Sequence, residues 1–250
     1  MILLSRRGTP APTSRVGGFA AIGFALSITL SNAVLVPAGL PPTGSPTDEV
    51  TQFFATEGTS VVLGSLLTPT AWLLAALFGA GVVSALRHGS RARSEVWSLF
   101  GFAGLVLQNG AFAAIVAIRL ALASVALPAG APATALWAVH DALFTLNGTF
   151  LAMALIGLST AGTRAGLIAR WHGALGLLAA ALMFSSATLT PLVIDGRGPL
   201  GLLGLVGWLL WVVWTTAYGV ALLRAPTSPQ PDRPASPGPS AADAAVPGAA

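Results

Sequence analysis

A histidine and an aspartate stand side by side at positions 140 and 141, with an asparagine at 147, inside the apolar run Trp137-Ala138-Val139-His140-Asp141-Ala142-Leu143-Phe144-Thr145-Leu146-Asn147. Side chains of these types carry protons, bind cations or hydrogen-bond a partner helix. His140 and Asn147 lie about two helical turns apart, so they share one face with Phe144 and Leu151. Asp141 points about 100° away, beside Thr145 and Gly148. An upstream apolar run offers complements in Gln108, Asn109 and Arg119. Gln108 and Arg119 are about three turns apart and share a face, with Phe112 and Ile115 between them.

The surroundings explain why such residues must be partnered. Charged residues make up 8% of the 250-residue chain and apolar residues 54%, with a mean hydropathy of +0.80. A soluble domain carries roughly 25% charge. So few charges suit a bilayer as the solvent. In hydrocarbon an ionisable group costs about 2.5–3.5 kcal/mol on insertion scales, so it turns inward and finds a partner.

A membrane-crossing helix needs about 20 mostly apolar residues. Six segments qualify, at roughly 16–38, 60–86, 97–119, 134–160, 168–191 and 199–223. The expected fold is an all-α, polytopic transmembrane bundle. Residues 1–15 form a short basic cytoplasmic leader. The apolar part of the first segment spans about 23 residues, longer than the roughly 7–15 of a signal-peptide core, so it reads as an uncleaved helix. Residues 225–250 hold seven prolines among Ala, Ser and Gly. A tail of that composition cannot bury enough apolar surface to offset its ordering entropy, and is expected to be disordered.

Arginine sets the expected topology. Arg6, Arg7, Arg15, Arg87, Arg91, Arg93, Arg164, Arg170, Arg224 and Arg233 fall on one side, against Arg119 and Arg197 on the other. The positive-inside rule then places both termini in the cytoplasm, as an even number of crossings requires. The plasma membrane is the expected location, and the segment with Asp48, Glu49 and Glu57 faces outward. Trp97, Trp137 and Trp171 each start a helix and read as interface anchors. Trp208, Trp211 and Trp214 form a ridge along the sixth segment, suited to helix packing or lipid contact. His172, next to Arg170 and Trp171, reads as an interfacial residue near lipid headgroups. Pro69 should kink the second helix. Gly198, Gly201, Gly204 and Gly207 suit close packing within one chain.

The linker between the third and fourth segments is short, which makes them antiparallel neighbours. Arg119 and Asp141 are therefore expected to pair near the outer leaflet, with His140, Gln108 or Asn109 completing the hydrogen bonding. Two roles follow for this cluster. It is a polar clamp between two helices, or it lines an outward-facing cavity that handles a proton, an ion or a small solute.

Other chemistry finds no foothold. Without cysteine the chain has no disulfide, thiolate ligand or thiol nucleophile. Its three histidines show no metal-binding spacing, and no metal or cofactor is expected. Without lysine no phosphate-binding P-loop motif is possible, and no GxSxG elbow occurs. The arginines punctuate apolar segments instead of forming a basic face, so nucleic acid is not an expected partner. The bilayer is, and a second copy or another membrane protein stays open.

The runs "LWAVHDALFTLNGTFLAMALIGLS" (136–159) and "AGLIARWHGALGLLAAALM" (165–183) resemble those of a bacterial, actinobacterial-type family of six-helix membrane proteins grouped as a domain of unknown function. The resemblance covers about residues 16–224. It implies a compact bundle and carries over no catalytic residue. The resulting expectation is a non-enzymatic membrane protein with an accessory, scaffold or sensor role; the alternative is a small transporter built on the Asp141 cluster.

Overall fold

The computed structural model describes residues 12–87, 92–124, 131–195 and 199–225. The leader up to residue 11 and the Pro/Ala-rich tail from 226 lie outside the described residues, as do His88, Arg91, Arg197 and Gly198. Among the described residues every regular element is an α-helix: α1 (Pro12–Leu35), α2 (Thr47–Thr56), α3 (Gly58–Ser65), α4 (Thr68–Arg87), α5 (Ala92–Ser124), α6 (Ala131–Arg164), α7 (Arg170–Thr188), α8 (Thr190–Ile194) and α9 (Gly201–Arg224). Among the described residues, six stretches are long and apolar enough to cross a membrane: Ser14–Leu35, Gly58–Arg87, Glu95–Ser124, Pro132–Arg164, Arg170–Thr188 and Gly201–Arg224. Each overlaps one of the expected segments.

The second and fifth segments are interrupted, both at a Leu-Thr-Pro triplet. The second breaks at Leu66–Leu67, just ahead of Pro69. Proline has no N–H, so it cannot bond the carbonyl four residues back. Here that carbonyl belongs to Ser65, and the Thr68 hydroxyl donates to it at 2.7 Å. In the fifth segment Pro191 leaves the Ala187 carbonyl without its helical donor. The Thr190 hydroxyl donates to that carbonyl at 2.6 Å. The kink expected at Pro69 is thus a short break with its freed carbonyl satisfied. At the end of α6, Gly166 adopts φ +71°, and the Leu167 N–H returns to the Gly162 carbonyl at 2.9 Å, a glycine-dependent helix stop.

The membrane helices form a closed ring in the order α1, α4, α5, α6, α7, α9, with α9 packing back on α1. Side chains fill its centre. Phe24 (α1), Phe78 (α4), Leu105 (α5), Leu155 (α6), Ala179 (α7) and Trp214 with Tyr218 (α9) belong to one buried cluster. Their rings meet edge-on: Phe78–Tyr218 centroids lie 5.6 Å apart, Trp214–Tyr218 5.0 Å and Phe24–Trp211 5.4 Å. The tryptophan ridge of α9 therefore turns into the core at Trp211 and Trp214, while Trp208 is only partly buried.

A second, smaller core lies at one end of the ring. The amphipathic α2 lays Val50, Phe53 and Phe54 against Leu35, Val61, Leu122 and Trp137. This cap covers the end where α5 finishes and α6 begins, over the residues that could do chemistry.

Candidate functional site

Helices α5 and α6 approach closely because glycine faces backbone. A Cβ on Gly104 would lie 2.8 Å from the Phe150 carbonyl oxygen, and one on Gly101 2.7 Å from the Leu158 nitrogen. This antiparallel register carries Arg119, near the end of α5, to His140, near the start of α6. Arg119 Nε donates to His140 Nε2 at 2.9 Å. Nε2 must then be the acceptor, which places the ring proton on Nδ1. Nδ1 sits 3.1 Å from Asp141 Oδ1 and donates to it. The other carboxylate oxygen, Oδ2, accepts the backbone N–H of Gly44 at 2.8 Å. The result is a chain of donors from guanidinium through neutral imidazole to carboxylate, ending on the strap between α1 and α2.

The strap owes its shape to Gly44, whose φ of +85° is a left-handed conformation that side chains disfavour. Aromatic rings wall the imidazole. Trp137 stacks on it with centroids 4.2 Å apart and planes 9° apart. Phe144 lies parallel on the other side, at 5.9 Å and 9°. The Arg119 guanidinium sits 5.8 Å from the Phe144 centroid, within cation–π range. Arg119 is 8% exposed, and His140 and Asp141 are 2% each. These are buried charges with dedicated partners.

This arrangement corrects the expected contact. Arg119 and Asp141 do not touch; His140 stands between them. Asp141 is rotated about 100° from His140 around α6, so its carboxylate turns toward the strap while the imidazole faces α5. Three other expected members stay apart. Gln108 is buried with Oε1 unpartnered, about 16 Å along α5 from Arg119. Asn109 donates from Nδ2 to the Trp72 carbonyl at 3.1 Å, tying α5 to α4. Asn147 is buried with Oδ1 unpartnered, about 10 Å along α6 from His140.

The tryptophans expected as anchors divide as well. Trp171 is 64% exposed, as an interfacial ring should be. Trp97 is partly buried against the core and carries the Arg164 guanidinium 5.6 Å from its ring. Trp137 is buried and serves as a wall of the relay, not as a lipid-facing anchor. Its apolar face is consumed by stacking on His140 and an edge contact with Phe54.

A second polar cluster occupies the opposite end of the ring. His172, expected at the headgroups, is instead buried, and its Nε2 donates to the Trp214 carbonyl at 3.0 Å. Beside it the Tyr218 hydroxyl donates to the Leu158 carbonyl at 3.2 Å. Three glycines make the room: a Cβ on Gly162 would strike the Tyr218 hydroxyl, and Cβ atoms on Gly173 and Gly176 would strike Thr163 and Ser159. Between the two polar ends, α6 presents Leu151, Leu155 and Leu158, all fully buried. Replacing His172 with Phe removes one interhelical hydrogen bond. Thermal unfolding in detergent should show a loss of about 1 kcal/mol; an unchanged melting curve would mean that the bond holds nothing.

Among the described residues no group of three His, Asp or Glu side chains could hold a metal ion. No protein-family model matches the chain, and no curated protein or solved structure matches it. The fold itself defines the class: a multi-pass membrane protein whose most elaborated polar feature is a closed arginine–histidine–aspartate relay.

Proposed function

We propose that the protein is a non-enzymatic integral membrane protein of the plasma membrane, with both termini cytoplasmic, serving as an accessory, scaffold or sensor component. It would stand with the bacterial six-helix membrane proteins its sequence resembles. The relay is then a lock that holds α5, α6 and the outer strap in one register. One observation carries this reading: both Asp141 oxygens and both His140 nitrogens are engaged within the protein, under 3% exposed, beneath the α2 cap. A transport site must exchange its ligand for water or solute, and it must connect to the other side. Here the core of the ring is packed with aromatic and leucine side chains.

Two experiments test the proposal. Purified protein in proteoliposomes should pass protons no faster than protein-free vesicles, with wild type and Asp141→Asn alike. A proton or cation flux that Asp141→Asn abolishes would replace the lock with a transporter. The cysteine-free chain also suits labelling from either side. A membrane-impermeant maleimide should react with Asp48→Cys in intact cells, and with Ala235→Cys only after permeabilisation. The opposite pattern would invert the topology.

A further inference from the structure

The end of the ring opposite the relay carries a groove between α4 and α5. Its volume is about 470 Å³, and it is lined by Ala80, Val83, Ser84, Arg87, Leu99 and Phe102. That volume is within the roughly 300–1,000 Å³ of small-molecule sites. Ala80 and Arg87 are exposed on α4, and Leu99 is 43% exposed on α5, so the groove opens on the surface that lipid covers. Gly79 allows the helices to close behind it, since a Cβ there would lie 3.0 Å from Leu105 Cδ1.

The walls are apolar along most of their length, and the cation stands at one end. Arg87 is the last residue of α4. Its side chain is 57% exposed, and its Nε lies 3.5 Å from Glu95 Oε1. A strong charge-assisted bond is about 2.7–2.9 Å, and a guanidinium carries five donors. A half-exposed pair at 3.5 Å therefore leaves Arg87 competent to engage an anion.

An apolar slot in a lipid-facing wall, closed at the membrane surface by an arginine, matches one kind of molecule. We propose that the groove seats an acyl chain of an anionic phospholipid, and that Arg87 holds its phosphate. A zwitterionic lipid fills the slot equally well, but its own cation offsets the charge that Arg87 recognises. Basic pockets between membrane helices bind anionic headgroups by this logic, at about 1 kcal/mol per arginine. That corresponds to roughly fivefold in affinity.

The test uses the full chain in detergent, with phosphatidylglycerol, phosphatidylcholine or glycerol 3-phosphate added in separate samples. The lipid retained is read by native mass spectrometry and the melting temperature in parallel. Wild type should retain phosphatidylglycerol about fivefold over phosphatidylcholine and melt higher with it. Arg87→Gln should lose the preference and keep the fold. Ala80→Leu, which fills the slot from an exposed position, should lose retention of both lipids. Arg224→Gln, an exposed arginine at the end of α9, should behave as wild type. Equal retention of the two lipids by wild type overturns the proposal. So does full retention by Ala80→Leu, or stabilisation by glycerol 3-phosphate alone equal to that by the lipid.

Discussion

Replacing Asp141 with Asn should lower the stability of the purified protein by about 3–5 kcal/mol, the usual cost of removing one partner from a buried charge pair. The reason is geometric. The carboxylate receives the His140 Nδ1 proton at 3.1 Å and the Gly44 N–H at 2.8 Å. It also balances Arg119, which reaches it only through the imidazole. Asparagine keeps the shape and one acceptor oxygen, but it leaves the guanidinium buried without a counter-charge and sets an NH2 group against either the imidazole or the strap. Arg119→Gln should cost a comparable amount by stranding the carboxylate. The double variant should be milder than the sum, because it removes both charges together. Thermal unfolding in detergent of the four proteins measures this cycle. Strict additivity would mean that Arg119 and Asp141 are not coupled, and the lock would fail as an explanation. The same cycle bears on the strap: if Asp141 holds it, Asp141→Asn should also make the chain around Gly44 easier to cleave by protease before the bundle unfolds.

The next largest effect should come from a single methyl group. Gly157 on α6 faces α5 so closely that a Cβ would meet the Gly101 backbone nitrogen, with Gly101 Cα at 2.5 Å and the Trp97 carbonyl oxygen at 2.6 Å. Backbone cannot rotate away as a side chain can. Gly157→Ala must push the helices apart, at a cost of about 1–3 kcal/mol or more. Alanine favours helix over glycine by roughly 1 kcal/mol, which offsets part of the loss. Gly110→Ala supplies the control, since nothing lies within 4 Å of its Cβ position. That variant should be neutral or more stable by up to about 1 kcal/mol. The seam also governs the relay. Gly101–Gly157 and Arg119–His140 belong to one antiparallel register, so separating the helices lengthens the 2.9 Å bond at the far end. Gly157→Ala should therefore shrink the coupling measured between Arg119 and Asp141. A wild-type melting curve for Gly157→Ala would refute the close approach of α5 and α6.

Together these predictions separate the two halves of the site's logic. The charges provide the energetic need for partners, and the glycines provide the approach that lets them meet. The second polar end repeats the pattern with neutral groups: His172 and Tyr218 reach carbonyls on neighbouring helices across gaps that Gly162, Gly173 and Gly176 leave open.

The six apolar helices, the all-helical class and the need to bury Arg119, His140 and Asp141 were legible in the order of the residues. These follow from local quantities: run length, hydropathy and the 3.6-residue period. That order also made α5 and α6 neighbours, because the linker between them is short. Which side chains touch is a matter of packing between helices. His140 and Asp141 are adjacent in the chain, and periodicity separates them by about 100° without saying which one faces α5. That depends on the rotation of α6, which the backbone contacts at Gly101, Gly104 and Gly157 set. The strap's part had no local signal, since the Gly44–Asp141 bond joins residues 97 apart. Trp137 and His172 were misplaced for a related reason. Position near a helix end suggests an interface, but burial of a ring is settled by what packs beside it, here α2 over Trp137 and α9 over His172. Gln108 and Asn147 sit on the helical faces expected of them, yet miss the relay by whole turns, because sharing a face does not mean sharing a depth.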